Sequence, residues 1–71
     1  MTQEAPQNLM SALLKERDRC KDLLQQYKEI GAPGRLGALL LEGLLQRADN
    51  AMALGDVVLM IQVYDEMRQS N

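Results

Sequence analysis

The chain carries one dense cluster of helix-breaking residues, Gly31-Ala32-Pro33-Gly34-Arg35-Leu36-Gly37. Glycine and proline there end any helix arriving from the N-terminal side. The same proline suits the first turn of a new helix, where its missing N–H is not needed. Directly after it comes an apolar run, Leu36 to Leu45, in which only Glu42 is charged. A chain divided this way folds as helices on either side of a glycine-lined junction.

Residues 1–7 read as a disordered lead, followed by a single helical domain over residues 8–71. Asn8 is the expected N-cap of a first helix over about residues 9–29. Its apolar positions, Leu9, Met10, Leu13, Leu14, Cys20, Leu23, Leu24, Tyr27 and Ile30, follow three- and four-residue steps. The run Lys15-Glu16-Arg17-Asp18-Arg19 reads as a solvated charged face held by weak short-range pairs.

A second helix is expected over about residues 34–53. Leu36, Leu39, Leu40, Leu41, Leu44 and Leu45 cover most of its circumference, which predicts that this half is surrounded by protein. Gly37 and Gly43 each cost a helix about 1 kcal/mol relative to alanine, and they predict close approach of another backbone. Gly55 fits the left-handed residue that ends this helix, and Asp56 the N-cap of the next. So short a connection makes an antiparallel helical hairpin. For Val57-Val58-Leu59-Met60-Ile61, strand competes on propensity. The pattern continues as Val63, Tyr64 and Met67, which favours a third helix over about residues 57–69.

Composition sets the assembly. The chain has 71 residues, 46% of them hydrophobic, with no Phe or Trp. A domain of this size buries only about 60% of its unfolded surface. Its aliphatic surface therefore exceeds what two or three helices can hide. The expected fold is all-α, a long first helix and a tight hairpin assembled as a homo-oligomeric helical bundle.

The net charge of −2, with signs interspersed, argues against non-specific nucleic-acid binding, which needs a basic face. It carries too few carboxylates for a DNA mimic. Cys20 is the only cysteine, so no internal disulfide forms, and its expected role is core packing. No apolar run approaches the roughly 20 residues of a membrane span. Met1 to Pro6 is polar and acidic rather than signal-like. A cytoplasmic location is the expectation.

Catalysis is not expected. There is no histidine to shuttle protons or bind metal, and Thr2, Ser11 and Ser70 lie near no plausible base. No cofactor and no metal site are expected either. The chemistry that remains is binding. Backbone N–H groups of Gly34, Arg35 and Leu36 at a helix start attract anions, and Arg35 can hold a phosphate with two hydrogen bonds. Lys28 lies across the same loop, and Arg47 is available from a neighbouring subunit. Tyr27 and Tyr64 are candidates to stack on a base. On this reading the oligomer sequesters a small phosphorylated molecule such as a nucleotide signal. The plainer alternative is a turn with a solvated arginine and half-buried tyrosines.

Met10, Met52, Met60 and Met67 suggest a second function class, because thioethers suit adaptable surfaces. The interface candidates are Leu36, Leu40, Leu41, Leu44, Met52, Met60 and Met67. Together they would form a face that occludes a host or partner protein, the alternative being that they fill the core and subunit contact. The span Leu44 to Met67, with Ala48, Gly55-Asp56 and Tyr64, resembles the helix–Gly-Asp–helix junction of a single tetratricopeptide repeat, which implies hairpin geometry. In size and makeup the chain also resembles the small accessory proteins that bacteriophages use against host systems.

Overall fold

The computed structural model describes residues 5–70, with side chains from Asn8 onward. Three helices make up the architecture: α1 over Ala5–Ile30, α2 over Arg35–Leu54 and α3 over Val57–Gln69, with a single 3-10 turn over Ala32–Gly34 between the first two. No strand occurs among the described residues, so Val57 to Ile61 is helical. Every pair of helices packs together, giving an all-α bundle 45 Å long and 15 Å thick.

The first helix begins earlier than the sequence suggests. Asn8 lies inside α1 rather than at its N-cap, and of the expected lead, residues 5–7 are helical. Residues 1–4 lie outside the described residues. Pro6 falls in the first helical turn, where proline is well tolerated.

The junctions follow from glycine. Gly31 adopts φ 89°, which side chains rarely allow, and turns the chain out of α1. Gly34 is buried against α1: a Cβ there would stand 2.3 Å from the Tyr27 carbonyl oxygen. The approach at Gly34 is thus by the chain's own first helix. At the far end, Gly55 takes the left-handed conformation at φ 67°. Its N–H donates to the Met52 carbonyl, and the Asp56 N–H donates to the Ala51 carbonyl. This pair of bonds is the Schellman arrangement that closes a helix. The Asp56 carboxylate then accepts from the Leu59 N–H at 3.1 Å and caps α3.

The core is small and uneven in size. It holds Leu13 and Cys20 from α1, Met60, Val63 and Met67 from α3, and Ala38, Leu41, Ala48 and Ala51 from α2. So α2 turns mainly alanines inward, and Leu36, Leu39, Leu40 and Leu54 stay 59–73% exposed on its other side. Within one chain, the leucine-rich half of α2 is not surrounded. Leu41, Met60 and Met67 are buried in the chain's own core, and Leu44 and Met52 pack partly against it. These five therefore belong to internal packing, and only Leu36 and Leu40 of the expected interface residues lie exposed.

The charged run of α1 is also more than a solvated face. Arg17 bridges to Asp49 of α2 at 2.6 Å. The Arg19 guanidinium donates to the Met67 and Ser70 carbonyls at the end of α3, where backbone acceptors lack helical partners.

A substitution at Gly34 tests this frame. Gly34→Ala forces α1 and α2 apart and is expected to destabilise the fold by about 1–3 kcal/mol, as overpacking does. Urea unfolding followed by circular dichroism measures the loss.

Candidate functional site

The glycine junction gathers part of the expected anion site. Tyr27, Lys28, Gly31, Ala32, Arg35, Ala38, Leu39 and Glu42 line a hollow of about 330 Å³ between the end of α1 and the start of α2. Tyr27, Lys28 and Arg35 are thus brought together. Arg47 and Tyr64 are elsewhere. Arg47 lies on α2 about 18 Å farther along the helix axis from Arg35, where its guanidinium grips Glu66 of α3, one of the two bonds measuring 2.9 Å. Tyr64 is on α3 with Arg68 placed 5.7 Å over its ring.

The backbone at the junction is less open to anions than the sequence implies. The Gly34 N–H donates to the Gly31 carbonyl at 2.9 Å, and the Arg35 N–H donates to the Ala32 carbonyl. The 3-10 turn therefore occupies two of the donors assigned to a ligand. Leu36 is an exposed apolar side chain at the start of α2. Lys28 reaches the Glu42 carboxylate at 3.4 Å, which offsets one positive charge. The Tyr27 ring packs on Gly37, where a Cβ would meet it at 3.1 Å. Arg35 is different: its side chain makes no hydrogen bond or ion pair among the described residues.

A second concave region runs along the outer side of the α2–α3 hairpin. Leu39, Leu40, Gly43, Leu44, Arg47, Glu66, Gln69 and Ser70 line a hollow of about 480 Å³. Below the Arg47–Glu66 bridge, a further hollow of about 260 Å³ is lined by Asn50, Ala51, Leu54, Leu59 and Val63 together with Arg47. The walls are mostly aliphatic, with one ion pair across the middle. Around the hairpin turn, Leu54, Val57, Val58, Leu59 and Ile61 are all exposed. Sequence reasoning weighed these residues only as helix against strand and named none of them as a candidate surface. Val57 to Ile61 are apolar without interruption, so their spacing could not indicate which ones face out.

Two negative observations bound the chemistry. No group of three or more His, Cys, Asp or Glu is placed to hold a metal ion among the described residues. No helix among them is long and apolar enough to cross a membrane. Comparison with protein-family models, curated proteins and solved structures finds no match for this chain.

Cys20 is fully buried beside the Met67 carbonyl. Burial pushes its thiol above the ordinary cysteine value, opposed in part by the neighbouring Arg19 charge. A thiol raised in the folded state stays protonated where the unfolded one has begun to ionise. Its contribution to stability is therefore present below the unfolded thiol's pKa and is lost as pH rises through the folded one. Cys20 is expected to resist maleimide labelling in the native protein and to react on unfolding in urea. Wild-type stability should decline above about pH 8.5, the ordinary thiol value, and a Cys20→Ala variant should lose that part of the decline. Labelling rates and unfolding curves across pH check both.

Proposed function

We propose that the chain is a non-enzymatic interaction module, self-associating and cytoplasmic, that covers an apolar helix or groove on a partner protein with the exposed surface of its α2–α3 hairpin. One observation carries this reading. Ten large aliphatic side chains stand at least 40% exposed among the described residues, and most follow α2 and α3 and the turn joining them. Single exposed leucines are ordinary, but contiguous apolar surface of this extent marks a binding face. Met60 and Met67 take no part in it, since both are inside. The adaptable surface is built from leucine and valine instead.

Leu54→Asp with Val58→Asp places two charges at the hairpin turn, where both side chains are solvated. The double variant is expected to keep its helix content and to unfold within about 0.5 kcal/mol per substitution of the native chain. Chemical cross-linking in cells should yield a stoichiometric adduct with a second protein for the native chain and not for the variant. Identical adducts from both, or adducts only between copies of the chain, would count against the reading.

The unpartnered Arg35 supports a second reading, in which the hollow beside Tyr27 and Lys28 holds the phosphate of a small molecule. Its backbone donors are reduced, so the side chains would carry the contact. Calorimetry with a panel of cyclic and linear nucleotides tests it. Arg35→Ala should weaken any binding by about tenfold, the loss expected for a hydrogen bond to a charged group, with an unchanged melting temperature. Absence of heat and of any melting shift across the panel rules it out.

A further inference from the structure

Gly43 is the one glycine the chain does not explain internally. Gly31 and Gly55 have positive φ, Gly34 makes room for the Tyr27 carbonyl and Gly37 for the Tyr27 ring. Gly43 sits in the middle of α2 with helical φ, and a Cβ there would meet nothing within 4 Å. It weakens the helix by about 1 kcal/mol relative to alanine with no return inside the fold. It also lies in the wall of the 480 Å³ hollow, next to Leu39 and Leu40.

Leu36, Leu39, Leu40 and Gly43 recur at three- and four-residue steps and so form one face of α2, all of it exposed. This face is self-complementary when reversed. About a twofold axis between Leu39 and Leu40, an antiparallel copy brings Leu36 opposite Gly43 and Leu39 opposite Leu40. A large side chain then meets an absent one at each end, and leucines meet at the centre, which is how a knob finds a hole. Arg35 and Glu42 share one flank of the same face, seven residues apart. A twofold axis keeps that flank on the same side in both copies, so Arg35 of one comes within two residues, about 3 Å along the axis, of Glu42 of the other. That carboxylate also meets Lys28 of its own chain at 3.4 Å. Opposite charges flanking an apolar seam set orientation in paired helices, and the Arg35 side chain has no hydrogen-bond or ion-pair partner among the described residues. Leu36, Leu39 and Leu40, each 59–68% exposed, would form the apolar centre of a contact that in a stable dimer buries roughly 800 Å² per partner.

We propose that this face of α2 seats α2 of a second copy, antiparallel, with Leu36 of each copy entering the hollow at Gly43 of the other. The proposal deepens the interaction-module reading and names the occupant of the α2 row, leaving the hairpin turn free for a different protein. The two fail separately, because the Leu54 and Val58 changes do not touch the row.

Sedimentation of the full chain across a concentration series tests it, with circular dichroism confirming that each variant folds. The native chain should be a dimer. Leu40→Glu should weaken association by about tenfold or more, as at an interface hot spot. Arg35→Glu alone should weaken it by roughly two- to fivefold, the range of an exposed ion pair, and adding Glu42→Arg should restore it. Gly43→Ala should stabilise the isolated helix and still weaken the dimer. Under oxidation, a mixture of Leu36→Cys and Gly43→Cys chains should cross-link, whereas Leu36→Cys alone should not. A chain monomeric up to high micromolar concentration overturns the proposal. So does a dimer indifferent to Leu40→Glu, or one in which Leu36→Cys links to itself.

Discussion

The contact between Gly34 and the Tyr27 carbonyl sets the terms for the rest of the molecule. With no side chain at Gly34, the start of α2 lies directly on the backbone of α1. The helices start in close contact, and the inner face of α2 is mostly small: Ala38, Ala48 and Ala51, with Leu41 as the one large buried residue. A close-packed interior leaves no space for a leucine where an alanine is needed. The consequence is a largely inverted helix, with three alanines and Leu41 within and Leu36, Leu39, Leu40 and Leu54 outside.

Much of this frame is legible in the residues. Gly31, Pro33 and Gly34 place the first junction, and Gly55 with Asp56 places the second, because each meets a local backbone need that few other residues serve. The third helix falls at Val57–Gln69 as expected. What escaped is set by contacts distant in sequence. Nothing near Arg19 indicates that it reaches carbonyls at Met67 and Ser70. Nothing in a run of leucines says that Leu41 is buried while Leu40 is 63% exposed. Adjacent residues on a helix point about 100° apart, so a nearly all-leucine stretch presents an apolar residue in every direction. The face is chosen by the neighbouring helices. The start of α1 was missed for a simpler reason: polar residues ahead of Leu9 conceal a helix that Pro6 is suited to begin.

The polar residues show a similar division. Arg17, Arg19, Arg47 and Lys28 each engage a partner within the chain. Such surface pairs contribute little to stability individually. The Arg35 side chain makes no such pair among the described residues, and it lies at the start of α2 on the edge of its leucine row. The anion reading and the proposed dimer meet at this residue, one using it to hold an anion and the other to orient a second helix. They differ in the partner, a phosphate in the hollow beside Lys28 or a carboxylate from another copy. A ligand at Arg35 would therefore compete with the dimer's flank pair, and nucleotide binding and self-association would be thermodynamically linked.

In the proposed dimer, stability and assembly would be coupled through the exposed row of α2. Each leucine left in water forgoes roughly 1.5–3 kcal/mol that full burial would supply, while folding of so short a chain leaves only a small net margin. A bundle with alanines on the inner side of α2 gains less from that helix's core face than leucines would give, and a partner on the outer row would add to it. Anything that binds the folded form and not the unfolded one raises stability by mass action. A second copy seated on Leu36, Leu39 and Leu40 would make the melting temperature rise with protein concentration. Changes on that row would then lower it without touching a single internal contact. In such a molecule, the exposed face is as much a part of the folding problem as the core.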